Sequence, residues 1–441
     1  MNYEEAMSFL EDTKQYGSRP GLESIRALMR ELGDVQEQVP VVHIGGTNGK
    51  GSVGAMLSSV LTEAGYRVGW FNTPDVFSYE EEFRMDGEPI ARERLAALFT
   101  EVRAACDRMT APSQKDSACG DAANPPAHPT RFEVETAAAF LWFYEEKCDI
   151  ALVEVGMGGA LDATNLIHKP LVSVLTSIGL DHMNFLGDSL TGIAEEKAGI
   201  IKPDCPVVTV PQEPDVMAVI RARCEELHAP LILADAAQMG DKNNVLSQLA
   251  LRGAFQAENA ACALTVLQIL QGNTPGQNGA LEADTSQRFF DIPDNAIARG
   301  LADTRWPGRY ECVAAEPTII LDGAHNESAA KRLREALDAD FPGRTFRYIM
   351  GVLSDKDCDA IARAMFRPGD RVCTLTPPDP RALSAEELTE RLAAQGVDAH
   401  PCAGVQDALS CVRNDVSKGD IIVAFGSLSY LREIREAICK A

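Results

Sequence analysis

Eight residues, Gly45-Gly46-Thr47-Asn48-Gly49-Lys50-Gly51-Ser52, constrain this chain more than any other stretch. An apolar run of strand length, Val39-Pro40-Val41-Val42-His43-Ile44, precedes them, and a segment of helical length from Lys50 to Ala64, stopped by Gly65, follows. The glycines let the backbone turn sharply and aim N–H groups at an anion. The helix brings its positive end to the same point. A strand, a glycine loop and a helix in this order are the context a phosphate loop requires. In that reading Lys50 holds the β- and γ-phosphates, and Ser52 takes Mg2+ directly or through water. The segment departs from the common GxxxxGK[ST] form, because Gly51 separates Lys50 from Ser52 and Ile44 stands where the first glycine would fall. A glycine turn with no ligand is the competing reading. A lysine at the helix start among several glycines weighs against it.

The rest of the chain repeats the same grammar. Arg67–Phe71, Asp149–Val155, Leu171–Leu175 and Pro206–Val210 read as buried strands, with helices over Phe132–Glu146 and Ser189–Ile201. This alternation predicts a mostly parallel sheet with helices on both faces. The pattern restarts near residue 310, with strands expected at Thr318–Leu321, Phe346–Met350, Arg371–Leu375 and Ile421–Phe425. Helices are expected over Asn326–Leu337 and Ser384–Gln395, the second opened by Ser384 with Glu387 three residues on. A chain of 441 residues is too long for one ordinary domain. The expected fold is therefore α/β, with a P-loop ATPase-type domain over 1–303 and a smaller Rossmann-like α/β domain over 304–441. Thr110–Pro129 and Gln271–Ser286, poor in apolar periodicity, are expected to be surface insertions.

Composition excludes several function classes. A formal net charge of −24 argues against a general nucleic-acid surface. No apolar run approaches the roughly 20 residues of a membrane span. The start, Met1-Asn2-Tyr3-Glu4-Glu5, lacks a basic region followed by an apolar one, so a cytoplasmic location is expected. The 12 cysteines are scattered, with no CxxC pair and no zinc spacing, and are expected to be reduced, buried, small apolar groups.

Further motifs carry a resemblance. Gly46-Thr47-Asn48-Gly49-Lys50-Gly51-Ser52 is the phosphate-loop form of the Mur ligase superfamily. Within it the chain resembles folylpolyglutamate synthase/dihydrofolate synthase. Thr13-Lys14 and Pro20-Gly21-Leu22-Glu23 are similar to that family's N-terminal segment. Glu154-Val155-Gly156-Met157-Gly158-Gly159 with Leu161-Asp162-Ala163-Thr164-Asn165 is similar to its central motif. Leu180-Asp181-His182, Glu196-Lys197-Ala198-Gly199-Ile200, Pro307-Gly308-Arg309 and Asp322-Gly323-Ala324-His325-Asn326 follow in family order.

The resemblance implies an ATP-dependent ligase. ATP converts a substrate carboxylate to an acyl phosphate, and the amine of L-glutamate displaces phosphate. It implies ATP contacts at Thr47, Asn48, Gly49, Lys50, Gly51, Ser52, Asn259, Arg309 and Asp322. It implies two Mg2+ sites drawing on Ser52, Thr73, Glu154 and His182, with K+ as a further candidate ion. It assigns Lys50, Lys197 and His325 to catalysis, with Lys197 carbamylated by CO2 in similar enzymes. Folate contacts would come from Gly21, Leu22, Thr130, Arg131, Phe132, Glu133, Leu161, Asp162 and Ala163, with Phe132 able to stack on a flat ring. Asp75 stands where many relatives have His or Phe, and Ala160 where many have Arg, so the choice of acceptor stays open. The expected partners are small molecules only (folate or dihydropteroate, L-glutamate and ATP), with a monomer as the default state. From the residues alone, Lys197 reads as a surface helix lysine and Glu154 equally well as a solvated strand end, and a helix cap is the lesser alternative for Asp322-Gly323-Ala324-His325-Asn326. Two other functions compete: a Mur-type ligase acting on a UDP-muramyl substrate, and a nucleotide-binding module without catalysis.

Overall fold

The computed structural model describes residues 1–17, 21–110, 127–180, 189–237, 249–273, 289–414 and 420–439. Its strands are β1 (Val41–Gly45), β2 (Val68–Phe71), β3 (Phe83–Met85), β4 (Glu88–Pro89), β5 (Ile150–Glu154), β6 (Val172–Leu175), β7 (Val207–Thr209), β8 (Leu231–Leu233), β9 (Glu311–Ala315), β10 (Thr318–Leu321), β11 (Phe346–Met350), β12 (Arg371–Thr374), β13 (Asp398–Pro401) and β14 (Ile421–Phe425). They form two sheets, ordered β4-β3-β2-β5-β1-β6-β7-β8 and β13-β12-β11-β14-β10-β9. All pairs from β2 through β8 are parallel, while β3 and β4 add an antiparallel edge. In the second sheet only β9 runs antiparallel to its neighbour.

The helices are α1 (Tyr3–Asp12), α2 (Glu23–Glu31), α3 (Lys50–Glu63), α4 (Arg92–Thr110), α5 (Arg131–Glu145), α6 (Leu190–Ala198), α7 (Pro214–Glu226), α8 (Phe255–Leu270), α9 (Asp294–Asp303), α10 (Glu327–Asp340), α11 (Cys358–Met365), α12 (Ala385–Ala394), α13 (Val405–Asn414) and α14 (Leu431–Cys439). Successive residues of a strand face opposite sides. Hence Val41, Ala151 and Val153 enter the core made with α1, α2, α4 and α5. Val42, Ile44, Ile150 and Leu152 enter the one made with α3, α8 and α9. Both faces are covered, which is why β1 and β5 read as continuous apolar runs. The second sheet is covered in the same way, by α10–α12 on one side and α13–α14 on the other. The predicted cap of α12 is present, with Ser384 accepting from the Glu387 amide. Most of the two expected insertions lies outside the described residues, although Thr110 proves to be the last residue of α4. Among the described residues no helix is long and apolar enough to cross a membrane.

One polar group is built into the second core. Arg334 of α10 is buried and donates to Asp370 at 2.8 Å and to the Tyr348 hydroxyl at 3.2 Å. Asp370 also accepts the amides of Phe346 and Arg367, each at 2.9 Å. Removing the carboxylate leaves Arg334 with only the exposed Asp338 as an acidic partner, at 2.8 Å, and leaves two amides unpaired; breaking such a buried pair costs about 3–5 kcal/mol. Asp370→Ala is therefore expected to lower the stability of the second sheet by about that amount in a denaturant titration. A loss below about 1 kcal/mol, the range of an exposed pair, would show that the group is not held as described.

Candidate active site

Parallel pairing determines where the chemistry gathers. β1, β2, β5 and β6 end at the same edge of the first sheet, and the segment after each contributes to one place. Ile44 stands opposite Glu154 in the β1–β5 register. The phosphate loop follows β1, Thr73 follows β2, Glu154 closes β5, and Ser177 follows β6. The second sheet turns its own carboxyl edge to the same space. Asp322 to His325 follow β10, Gly426 to Ser429 follow β14, Asp355 and Lys356 follow β11, and Asp379 and Arg381 follow β12. Between the two edges lies a cavity of about 590 Å³ lined by all of these residues except Ser177, together with Lys197, Asn259, Arg309, Arg332 and Arg432. A cleft outside the carboxyl ends of parallel strands is where α/β proteins bind ligands.

The loop itself is held open toward this cavity. Gly46 has φ +134°, and a Cβ there would lie 1.9 Å from Thr176 Oγ1. Gly49 has φ +101° and opens α3, with no side-chain cap. The amides of Thr47 and Asn48 donate to Ser177 O at 2.8 and 3.1 Å, which pins the loop to β6. Within α3 the amide of Val53 reaches back to Gly49 O at 2.9 Å. The three amides before it, of Lys50, Gly51 and Ser52, thus have no carbonyl of an earlier helical turn and form the positive end of the helix. Lys50 Nζ donates to Gly46 O at 3.3 Å and lies 3.7 Å from Glu154 Oε1. Lys197 is buried, contrary to the surface position that its acidic neighbours suggest, and donates to Gly46 O at 2.9 Å.

Burial pushes the Glu154 carboxyl up to about 7, while Lys50 and Arg309 pull in the opposite direction. Burial also raises Asp75 and Asp322. Both oxygens of Asp322 accept backbone amides, of Tyr310 and Ala324, each at 2.8 Å, so this residue shapes the loop that carries His325. His325 Nδ1 lies 2.7 Å from Gly323 O. A carbonyl can only accept, so Nδ1 carries the proton and Nε2 is the basic nitrogen of the neutral ring.

Further side-chain contacts join the two sheets and brace the loop, and Ser177, Gln256 and Arg332 among them were not singled out by the motifs. Asn48 and Asn326 exchange amide contacts at 3.2 and 3.4 Å. Arg332 of α10 donates to Ser177 Oγ at 3.0 Å and pairs with Glu258 at 3.4 Å. Gln256, fully buried, donates to Ser52 Oγ at 3.3 Å and accepts from Asn259 Nδ2 at 2.8 Å. Its position three residues before Asn259, on the same face of α8, is the signal that could have found it.

The residues expected to face a folate do not line this cavity. Thr130 and Glu133 form the capping box of α5, and the second Glu133 oxygen accepts the Ile25 amide at 3.1 Å. Arg131 pairs with Glu135 at 2.8 Å, and Asp162 accepts from Met157 N, Thr164 N and Thr164 Oγ1. Leu22 and Ala163 lie in the core on the same side of the first sheet, half-buried Gly21 directly precedes Leu22, and Leu161 is exposed. Phe132 is half-buried, stacks on Phe71 at 5.9 Å, and abuts Gly156, whose own backbone does line the cavity. These residues thus form a layer directly behind one wall. Pro20, Asp181 and His182 lie outside the described residues.

A phosphate loop and a buried acid on one sheet edge face arginines and a histidine on another, an arrangement suited to an anionic ligand. Comparisons with known proteins agree. Residues 308–428 match the Mur ligase, glutamate ligase domain. The chain is 32% identical to the dihydrofolate synthase/folylpolyglutamate synthase of Bacillus subtilis, over 99% of each chain. It is 31% identical to the folylpolyglutamate synthase of Lacticaseibacillus casei, again over 99% of each. The Mycobacterium tuberculosis folylpolyglutamate synthase solved with ADP and AMPPCP superposes with a TM-score of 0.83 at 29% identity, over 99% of each chain. Escherichia coli FolC in complex with DHPP and ADP gives 0.79 at 28%, over 99% of this chain and 98% of that one. The chain is thus an ATP-dependent ligase of the Mur type. It belongs to the folylpolyglutamate synthase/dihydrofolate synthase family.

The buried acid makes stability depend on pH. The Glu154 carboxyl keeps its proton in the folded chain between pH 4.5 and about 7, where an unfolded chain has released it. The folded state binds more protons in that window, so stability falls as pH rises through it and stays level above it. The metal-free protein is expected to lose at most roughly 3 kcal/mol across the window. Glu154→Gln, which cannot titrate, removes that loss. Equal slopes for the two proteins in urea titrations from pH 5 to 8 would rule out this origin.

Proposed function

We propose that this chain joins L-glutamate to the carboxylate of a folate-type acceptor, dihydropteroate or a reduced folate, through an acyl phosphate made with ATP. The observation that carries this reading is the opposition of Lys50 and the start of α3 to Arg309 and His325 across one cavity. A carboxylate is a poor electrophile, and its oxygen must first become a leaving group. Both reactants of that step are anions, so cations on both walls must hold them together. In this scheme Lys50 and the α3 amides hold the β- and γ-phosphates, and Asn259 and Asp322 shape the nucleotide's place. Arg309, permanently charged, meets the phosphates from the other wall. His325 Nε2 takes one proton from the glutamate ammonium, which frees the nitrogen lone pair to attack the acyl carbon; the C–O bond to phosphate breaks, and the second nitrogen proton leaves with the departing phosphate. The layer around Phe132, Leu161 and Asp162 receives the acceptor's ring, with Gly21, Leu22, Thr130, Arg131, Glu133 and Ala163 forming its frame.

Ser52, Thr73 and Glu154 supply oxygen donors along one wall, the set a hard divalent cation prefers, and the buried Glu154 carboxyl lacks a full counter-charge. These residues would hold Mg2+, with His182 as a proposed fourth donor; when bound, it screens phosphate charge. A second Mg2+ and K+ remain part of the proposal. Lys197 is proposed to be carbamylated, which turns a buried cation into an anion beside the phosphate loop. We place the division between the lobes at 303/304, so that Lys50 and Arg309 belong to different domains and closure completes the site. The chain is proposed to act as a cytoplasmic monomer.

ATP hydrolysis is expected to require both the acceptor and glutamate. Lys50→Ala should lower kcat/KM by more than about a hundredfold, and His325→Ala should lower kcat by roughly the same factor at saturating substrates. Rapid ATPase activity with neither substrate present would contradict the reading. Intact-mass spectra should show Lys197 as a carbamate; an unmodified Lys197, with full activity retained in Lys197→Ala, would remove that part of it.

A further inference from the structure

One cluster of reactive side chains takes no part in this chemistry. Cys373 lies in β12, Cys402 directly follows β13, and Cys411 sits on α13. Their Sγ atoms all lie within 4.8 Å of one another. Cys373 and Cys402 are buried and Cys411 is half-buried, so the group has one accessible member. All three thiols are free. Ile349, Leu375, Val405, Ala408 and Val412 complete the apolar surroundings. None of the three cysteines lines the reaction cavity.

We propose that Cys373, Cys402 and Cys411 form a three-thiol site for a soft, thiophilic element in its trivalent state, with arsenous acid as the matching ligand. Bonds of sulfur to soft ions are about 2.3 Å long, as for zinc, which places coordinated sulfurs roughly 4 Å apart. The present spacing, at most 4.8 Å, lies within roughly an ångström of that distance.

Charge decides which element fits. Burial and hydrogen bonds from the other two thiols push Cys373 up, and burial raises Cys402 to about 11. The charged neighbour acting on Cys402 is the Asp407 carboxylate, which pushes the same way. Three thiolates around a monovalent or divalent ion would leave net negative charge in an apolar core beside an acid, and buried unpaired charge is costly. Arsenous acid avoids this. Three S–H and three As–O bonds break, three As–S and three O–H bonds form, and three waters leave. The arsenic oxidation state is unchanged, no proton is released to solvent, and the product is neutral.

The test uses the full-length reduced protein titrated with sodium arsenite, read by thiol count and by arsenic X-ray absorption. The expected result is one arsenic per chain with three sulfur neighbours and three thiols protected. Cys411→Ser, at a half-buried helix position, should keep the native melting curve and weaken binding by about a hundredfold, the scale on which one linked contact changes affinity. Cys402→Ala should do the same, so a folding defect in one variant leaves the other to decide. Cys312→Ser, at an exposed position outside the cluster, should bind as the parent does. No binding by the parent, binding unchanged in both cluster variants, or displacement of arsenic by equimolar Zn2+ would overturn the proposal.

Discussion

The parallel pairing of β1 with β5 sets the geometry of everything that follows. Its register puts Ile44 beside Glu154, and the turn after β1 then has nowhere to go but across the end of β5. Lys50 consequently stands 3.7 Å from a carboxylate that the sheet has buried. Neither partner suits an apolar interior alone, and the pair is exposed on only one side, toward the cavity. In the proposed reaction, phosphate would meet Lys50 and a hard cation would meet Glu154, completing what the pair lacks. The loop glycines serve the same end, since any Cβ at Gly46 or Gly49 would collide with Thr176 or Asn259.

The second sheet matters because one wall cannot bring two anions together. Its strands deliver Arg309, His325, Lys356, Arg381 and Arg432 to the same space from the opposite side. The walls meet through polar contacts, Asn48 with Asn326 and Arg332 with Ser177 and Glu258, and through apolar ones, with Val76, Phe77 and Phe255 packed against the cores of the second sheet. The cations proposed to act in transfer are split between the two walls, so the proposed centre needs both in place.

Much of this was legible before the structure. The strand–loop–helix at 39–64 and the apolar runs ending at Glu154 and Leu175 are long, and buried on both faces, so periodicity finds them. The edge strands were not legible. β4 is two residues long and exposed, β9 is only partly buried, and β13 is mostly exposed, so none has an apolar run to read. Glu154 could be placed at the carboxyl edge from sequence, but the burial that shifts its carboxyl could not. Lys197 shows the same limit: its acidic neighbours suggest a solvated helix, yet the turn of α6 carries it under the phosphate loop. Gln256 could have been found from its place three residues before Asn259, but Arg332 and the three thiols are brought to their places by tertiary packing, and no spacing along the chain records it. Thr130 and Glu133 teach the reverse lesson, because a motif read as substrate contact also forms a helix cap that holds α2.

The central claim is that the two facing sheet edges make one amide bond between a folate-type carboxylate and glutamate. Mass spectrometry of the products tests it most directly. The purified chain would be given MgATP and L-glutamate with dihydropteroate, with a tetrahydrofolate, or with a UDP-muramyl acceptor, each separately. The account predicts an acceptor extended by one glutamyl residue, with one ADP formed per bond, for at least one of the first two. ADP without any conjugate, or a conjugate formed only with the UDP-muramyl acceptor, would contradict it.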